Sequence, residues 1–472
     1  MSLLDVARGA YVRSPDIVRK SLAPLVALVP TRAKFGGTFR EWQQNIALAD
    51  VNLHYAAQAH IAALRGLMQK AHANSPYYRL MLDTALGAGF DYATFGPEHL
   101  QMLPVLSKSN LIAAGDAALA TERRYLDNAD TSGSNGERPF RFYLDKDRSA
   151  REMAFVYHGW GKIGFAPGMS KIVLRGFGLP PNGLATMEWE PALRELRLSV
   201  FPMTPADVVE YVRLIDQREI DYLYGYPSAI ELMCRHMAAL GIRPKRQLKA
   251  ILPISEPVYP HQRGLFADVL GPVPVQGFYG LSEKAAFAIE RAHEPDVYDF
   301  NPLYGATELV DWDGSPITEI GKQGRIIATG FLSTGMPFIR YDTEDLAELV
   351  EAPTLENGYR LSLRNIVPRR KPNFLVAADG NRVVTIDFTP DNPRYFEGLD
   401  EYQFYQAEPG KVTIRYIPTA DGTLDQAQRV ADGLTRRTHG RIVFTLEKVA
   451  QLAGGRAGKR AFIDQRLDLS RY

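Results

Sequence analysis

Apolar side chains recur at helical spacing from about Ala47 to Lys70, and Asn74-Ser75-Pro76-Tyr77-Tyr78 closes that stretch with a turn. The early part of the chain is therefore expected to be mostly helical, with Tyr77 and Tyr78 serving packing. From residue 171 the pattern becomes an alternation of short apolar runs and amphipathic stretches. Lys171 to Arg175 reads as strand, Ala206 to Asp216 as helix, Asp221 to Tyr224 as strand and Ser228 to Leu240 as helix. Lys249 to Ile254 then reads as strand, Pro260 to Leu270 as helix and Val273 to Phe278 as strand. Such βα alternation implies an α/β fold with a largely parallel sheet under helical cover.

After about residue 300 the pattern shortens to β runs, including Gly324 to Thr329 and Phe338 to Tyr341, with turns at Asp313-Gly314 and Glu356-Asn357-Gly358. An antiparallel subdomain is expected there. The C-terminal stretch reads as a small α+β unit: strands at Gln403 to Gln406 and Lys411 to Ile417, a helix at Leu424 to Thr438 and a strand at Ile442 to Glu447. Pro368-Arg369-Arg370-Lys371-Pro372 is polar and bracketed by prolines, as expected of a hinge, and divides a large domain (1–368) from a small one (369–472).

Composition narrows the partners. At 472 residues and 46% hydrophobic content the chain can bury a large core in more than one domain. Lys plus Arg number 55 against 54 Asp plus Glu, so no net field draws nucleic acid or an anionic membrane. The single cysteine, Cys234, excludes an internal disulfide and a Cys-rich metal site, which fits a reducing cytoplasmic location. No export signal or membrane anchor is read near the N-terminus. The nine histidines show no paired ligand spacing, and His158, His236 and Cys234 are expected to be ordinary packed or surface residues.

The candidate chemistry begins at Thr131-Ser132-Gly133-Ser134-Asn135-Gly136-Glu137. Two glycines permit close approach of the backbone to an anion, and amides and hydroxyls supply donors, so the loop reads as a phosphate cradle or as an ordinary Ser/Asn/Gly turn. No lysine follows the second glycine, which excludes a Walker loop. Ligands of parallel sheets lie at the carboxyl ends of the strands. Three such ends carry polar and turn residues: Gly225-Tyr226-Pro227-Ser228, Ser255-Glu256 and Tyr279-Gly280-Leu281-Ser282-Glu283, which are expected to line one cleft.

In order along the chain, Thr131 to Glu137, Tyr279-Gly280-Leu281-Ser282-Glu283 and Met336-Pro337-Phe338-Ile339-Arg340-Tyr341-Asp342-Thr343-Glu344-Asp345 resemble the signature blocks of the adenylate-forming acid-activating superfamily. Asn74 to Arg79, Leu103 to Lys108 and Gly454 to Lys459 resemble its phenylacetate-CoA ligase and CapK-like branch. The resemblance implies an ATP-dependent ligase that forms an acyl-adenylate, releases pyrophosphate and passes the acyl group to CoA, an amine or a hydroxyl. It also leaves room for a homodimer.

The resemblance implies roles by position. Thr131, Ser132, Gly133, Ser134, Asn135 and Gly136 would grip the phosphates of ATP, and Ser282 would donate to the α-phosphate. Glu283 would hold Mg2+, a hard cation that favours one carboxylate with phosphate oxygens and waters. Asp345 would accept from both ribose hydroxyls, Tyr279 and Gly280 would face adenine, and Ser255-Glu256 would contact the nucleotide. Lys459 would bridge the carboxylate and the α-phosphate during adenylation, and Arg370 would mark the hinge. Tyr224, Gly225, Tyr226, Pro227 and Phe278 would wall a pocket for an aryl or small apolar acid. The chain departs from the pattern in places: Asn135 stands where Thr or Ser is usual, an extra residue lies between Gly136 and Pro139 with Glu137 bringing negative charge toward a polyphosphate, and Glu344 and Arg369 replace glycines. These departures leave a non-catalytic nucleotide-binding role as the alternative.

Overall fold

The computed structural model describes residues 16–29, 35–130, 140–175, 179, 185–200, 203–368, 374–384, 396, 398–450, 452 and 463–468. Helices α1 (Asp16–Ala27), α2 (Gly36–Val51), α3 (Leu53–Asn74), α4 (Pro76–Leu86) and α5 (Lys108–Ala114) come first. The single helical stretch expected from Ala47 to Lys70 is two helices. Asn52 leaves the helical conformation and its side chain accepts from the Tyr55 amide at 2.9 Å, ending α2 and capping α3. Ser75 then acts as cap with Pro76 in the first turn of α4, so the expected turn shrinks to one residue and Tyr77 and Tyr78 are helical. Tyr78 is fully buried and donates to the Pro337 carbonyl, which ties the early helices to a signature block.

Strands β1 (Leu126–Asp130) and β2 (Arg141–Asp145) form an antiparallel hairpin, and α6 (Arg148–Gly161) follows. Next come β3 (Lys171–Leu174), β4 (Met187–Glu190), β5 (Glu195–Leu198), α7 (Pro205–Gln217), β6 (Tyr222–Gly225), α8 (Pro227–Leu240), β7 (Ala250–Pro253) and α9 (Pro260–Leu270). They make a five-stranded sheet in the order β4-β5-β3-β6-β7, parallel except for the β4–β5 pair. Alternate residues of these strands enter two cores. Ile172, Leu174, Leu223 and Ile251 pack with α7, α8 and α9, whereas Val173, Tyr222, Tyr224 and Leu252 pack with α2 and α6.

The run Val273 to Phe278 is not one parallel strand. Val275 makes a single parallel bridge to Ile251, and Phe278 then starts β8 (Phe278–Gly280) in a different sheet. That sheet contains β8, β9 (Phe287–Arg291), β10 (Glu294–Phe300), β11 (Gly305–Val310), β12 (Gln323–Gly330), β13 (Tyr341–Glu351) and β14 (Leu361–Pro368), in the order β11-β12-β13-β14-β10-β9-β8 with antiparallel neighbours. Phe338 to Arg340, expected as strand, is buried irregular chain before β13. Arg340 takes a left-handed φ of 45° and its guanidinium is held by Glu308 and by the Leu103 and Gly314 carbonyls.

Beyond these lie the β15 (Phe374–Val376) and β16 (Arg382–Val384) hairpin, β17 (Leu399–Glu408), β18 (Lys411–Pro418), α10 (Leu424–Arg437), β19 (Val443–Lys448) and β20 (Ile463–Gln465). The last four strands form a mixed sheet ordered β19-β18-β17-β20. Its core, including Phe404, Ile414, Val430, Leu434 and Phe444, draws on this C-terminal stretch alone. Among the described residues no helix is long and apolar enough to cross a membrane.

Candidate functional site

The carboxyl ends of β3 and β6 meet closely. A Cβ at Gly225 would come within 2.5 Å of the Leu174 carbonyl oxygen, so glycine is needed for that approach, and the Tyr226 amide donates to the same carbonyl at 2.9 Å. Pro227 opens α8 in its first turn. At the end of β7, Ser255 is exposed with a left-handed φ of 67°, and Glu256 turns back to accept from the Ser228 amide and hydroxyl at 3.0 Å each. Burial pushes the Glu256 carboxyl up, and its position against the first turn of α8 opposes that shift through the Ser228 donors. Its carboxylate is thus engaged by a helix terminus, and the turn presents Ser255.

Beside these ends lies a cluster of carboxylates. Tyr279 of β8 donates to Asp345 of β13 at 2.7 Å, and Tyr341 of β13 donates to Glu283 at 2.9 Å. Burial raises the Asp345 carboxyl to about 7; the Tyr279 hydrogen bond opposes the rise, and the charges of Glu283, Glu344 and Asp342 add to it. Burial likewise pushes up Glu283, against the Tyr341 hydrogen bond and the nearby charges of Lys108 and Lys284. The negative charges that raise the affinity of Asp345 for a proton also favour a cation or a hydrogen-bond donor brought among them.

The sequence block Leu103 to Lys108 reaches this cluster through the backbone. Leu106 forms a parallel bridge with Tyr341: its amide donates to Arg340 at 2.9 Å and its carbonyl accepts from Asp342 at 2.8 Å. Ser107 then caps α5, whose first residue is Lys108.

The connection between β1 and β2 holds residues 131–139, which lie outside the described residues; Thr131, Ser132, Gly133, Ser134, Asn135 and Gly136 are among them. The base of this hairpin is fixed. Asp145 accepts from the Thr334 amide at 3.0 Å and the Gly335 amide at 2.9 Å, while its own amide donates to Ser333 Oγ at 2.9 Å. These partners immediately precede Met336, so the strand leaving the loop is clamped to the block that ends at Asp345.

Arg370 and Lys459 also lie outside the described residues. Of the remaining sequence-selected residues, Ser282 and Gly280 are exposed, Tyr279 is half-buried and Glu283 is buried. Phe278 packs on Phe287 with ring centroids 5.3 Å apart. Tyr224 enters the core beneath α6, edge-on to Trp160 at 5.1 Å, whereas Tyr226 packs in the core on the opposite face of the parallel sheet. The two tyrosines therefore do not share a pocket wall. Glu344 has a left-handed φ of 65°, which accounts for the glycine usual at that position.

Sequence reasoning assigned no role to Tyr341, Asp145, Lys284 or Glu152. Tyr341 and Lys284 had a signal, since one lies in a signature block and the other follows Glu283; Asp145 and Glu152 had none. His158 pairs with Asp50 at 2.8 Å, and the His236 ring meets the Met203 carbonyl at 3.1 Å. Cys234 is fully buried and its thiol is pushed up to about 12 by that burial. Among the described residues no group of three or more His, Cys, Asp or Glu side chains is placed to hold a metal ion.

No family model matches the chain. It is 21% identical over 369 residues to the protein CapK of Staphylococcus aureus, covering 77% of this chain and 80% of CapK. It is 26% identical over 316 residues to the phenylacetate-coenzyme A ligase of Aromatoleum evansii, covering 63% of this chain and 67% of that enzyme. Among solved structures, 2-hydroxyisobutyryl-CoA ligase with 2-HIB-AMP and CoA in the thioesterification state aligns with a TM-score of 0.56 at 17% identity, over 86% of this chain and 89% of that one. The same ligase in its postadenylation state with R3-HIB-AMP aligns with a TM-score of 0.53 at 16% identity, over 88% and 90%. These structures share the chain's fold.

Proposed function

We propose that this chain, a member of the adenylate-forming superfamily with the two-domain fold of its ligases, is an ATP-dependent, AMP-forming carboxylic acid ligase. The observation that carries the reading is the pair of hydrogen bonds, Tyr279 to Asp345 and Tyr341 to Glu283, by which the block ending at Glu283 and the block ending at Asp345 hold each other's carboxylates. In this reading Asp345 accepts from the two ribose hydroxyls and Tyr279 and Gly280 lie along the adenine. Ser282 faces the α-phosphate, and Thr131 to Gly136 hold the departing pyrophosphate.

The carboxylate of the acid attacks the α-phosphorus in line, the bond to the β-phosphate oxygen breaks, and an acyl-adenylate and pyrophosphate result. Catalysis of such a step is mostly positioning and charge neutralisation. Mg2+ held by Glu283 would supply charge to the phosphate oxygens. Lys459, brought by residues 369–472 turning about Arg370, would add a mobile cation. An acceptor then attacks the acyl carbonyl and AMP leaves. CoA is the acceptor favoured by the similarity to phenylacetate-coenzyme A ligase, and an amine or hydroxyl is the alternative.

Acid-dependent exchange between ATP and labelled pyrophosphate tests this directly. The parent protein is expected to exchange with at least one acid of a broad panel, and Glu283→Gln and Lys459→Ala to lose at least about 100-fold, as for removal of a charge-stabilising group. ATP binding without exchange for any acid, unchanged by Lys459→Ala, would leave a nucleotide-binding protein without ligase turnover.

A further inference from the structure

A cavity of about 480 Å³ opens between α6 and the β9–β10 hairpin, and neither Glu283 nor Asp345, Ser255 or Glu256 lines it. Phe287 and Ile289, alternate residues of β9, line it together with Phe155 of α6 and Phe300 of β10. The rings of Phe155 and Phe287 are 5.9 Å apart. Gly159 lets the helix come down on this strand, because a Cβ there would lie 2.2 Å from Ile289 Cδ1.

The charged residues of the cavity are unevenly paired. At the end formed by α2 and α6, Asp50 pairs with His158 at 2.8 Å, Lys162 at 2.9 Å and Arg360 at 3.6 Å. Neither Lys162 nor Arg360 meets a second carboxylate among the described residues. One carboxylate therefore serves two permanent cations and a histidine, which leaves positive charge over. Lys162 is 48% exposed and Arg360 29%, so both are within reach of a molecule entering the cavity. At the hairpin the balance is reversed, since Arg291 meets both Asp299 at 2.9 Å and Glu294 at 2.8 Å. Glu290, the remaining carboxylate of the lining, is fully buried and bound by Arg263 and by the Gly277 and Asp296 amides.

The lining also holds an acceptor without a donor. Gln276 is 3% exposed, and its Nε2 donates to the Glu290 carbonyl at 2.8 Å, which sets the orientation of the amide. Its Oε1 is then buried with no hydrogen-bond partner among the described residues. Buried polar atoms of native proteins nearly always have a partner, so this oxygen calls for an N–H or O–H donor entering the cavity.

We propose that this cavity is a second small-molecule site, for a ligand with an apolar ring body, one anionic group and an N–H or O–H donor at its other end. The body lies on Phe155, Phe287, Ile289 and Phe300. The anionic group takes up the charge that Asp50 leaves on Lys162 and Arg360, and the donor meets Gln276 Oε1. A polyanion is selected against, because it would also face Asp50, Asp299 and Glu294. The site does not rest on the ligase reading, since none of these residues has a part in the adenylation proposed above.

The probe for the test is 6-anilinonaphthalene-2-sulfonate, which carries its sulfonate and its N–H at opposite ends of an aromatic body. Fluorescence titration of the full-length protein is expected to show one saturable site per chain that persists with saturating ATP and Mg2+. Lys162→Gln and Arg360→Gln should each raise its Kd by about tenfold, as for loss of a charge-assisted contact, and Ile289→Trp, which fills the floor, should abolish binding. N-phenyl-2-naphthylamine, which lacks the sulfonate, should bind the parent about tenfold more weakly and be indifferent to Lys162→Gln. The phenoxy analogue of the sulfonate, with an ether oxygen in place of the N–H, should also bind about tenfold more weakly. Thermal unfolding at the parent midpoint qualifies each variant, and the exposed substitutions Lys162→Gln and Arg360→Gln carry the comparison where Ile289→Trp does not fold.

Absence of a saturable site in the parent, or its loss on adding ATP, would overturn the proposal. So would parent-like binding of the sulfonate in the folded variants, or equal binding of the neutral amine or of the ether. Pyrophosphate exchange is not read in any of these measurements, so the ligase reading stands or falls apart from them.

Discussion

The Tyr341 hydroxyl donates to the Glu283 carboxylate at 2.9 Å, so the strand that carries Asp345 also fixes the orientation of Glu283, 58 residues away in sequence. A charge-assisted hydrogen bond contributes about 1.5–3 kcal/mol. Tyr341→Phe should therefore raise the half-saturating Mg2+ concentration by about 10- to 100-fold, with little change in the affinity for the acid. Magnesium titration of pyrophosphate exchange measures it. An unchanged magnesium requirement would separate Tyr341 from the metal.

Asp345 gives a pH dependence of known sign. Its carboxyl rises from 3.8 to about 7 on folding, so the folded state binds the proton more tightly. The associated stability is fully present below the unfolded value and is lost as pH rises through the folded one. Urea midpoints should fall between about pH 4 and pH 7, and Asp345→Asn should flatten that fall. The same variant should weaken ATP binding above about pH 7, where the parent carboxylate is ionised and accepts from ribose hydroxyls. A steeper fall in the variant would contradict the assignment.

Asp145 predicts a coupled loss. Removing its carboxylate leaves the Thr334 and Gly335 amides without their acceptor and takes away one of the two carboxylates that Arg151 meets, at 3.3 Å, leaving it Asp147 alone. Asp145→Ala should cost about 2–4 kcal/mol of stability, and exchange should fall even where the protein is fully folded. Denaturation read against activity at low temperature distinguishes the two effects.

Sequence pattern revealed most of the elements because each carries its own local signal. The helix Pro260–Leu270 has the bounds that its apolar spacing indicates, and Pro205–Gln217 and Pro227–Leu240 begin at proline as helix N-termini often do. Periodicity does not say which sheet a strand joins, so Val275 and Phe278 read as one strand although they belong to different sheets. Phe338 to Arg340 is apolar enough to resemble a strand, but Glu308 and the left-handed Arg340 hold it as irregular buried chain. In the candidate site, Glu283 and Asp345 were legible through their blocks. Their tyrosine partners, the Asp145 clamp and the Glu152–Lys284 ion pair at 2.7 Å depend on contacts across the fold that no local spacing records.

Glu344 is a test of the departure from glycine. An L-residue held at a left-handed φ is strained, and glycine relieves that strain at some cost in unfolded-state entropy. Glu344→Gly should raise stability by about 0.5–1 kcal/mol and, by removing a neighbouring charge, lower the Asp345 carboxyl from about 7. Chemical denaturation and the pH profile of ATP binding read these two effects separately. A destabilised variant would show that Glu344 makes a contact worth more than the strain.

The central claim is that this site joins a carboxylate to the α-phosphate of ATP. The most direct measurement is mass spectrometry of a quenched reaction containing the protein, ATP, Mg2+ and one exchange-active acid, with no acceptor added. The account predicts an enzyme-bound acyl-adenylate in amounts comparable to the protein, lost in Lys459→Ala and depleted when the true acceptor is supplied. ADP and an acyl phosphate in place of the adenylate would contradict it, because the attack would then have fallen on the γ-phosphate.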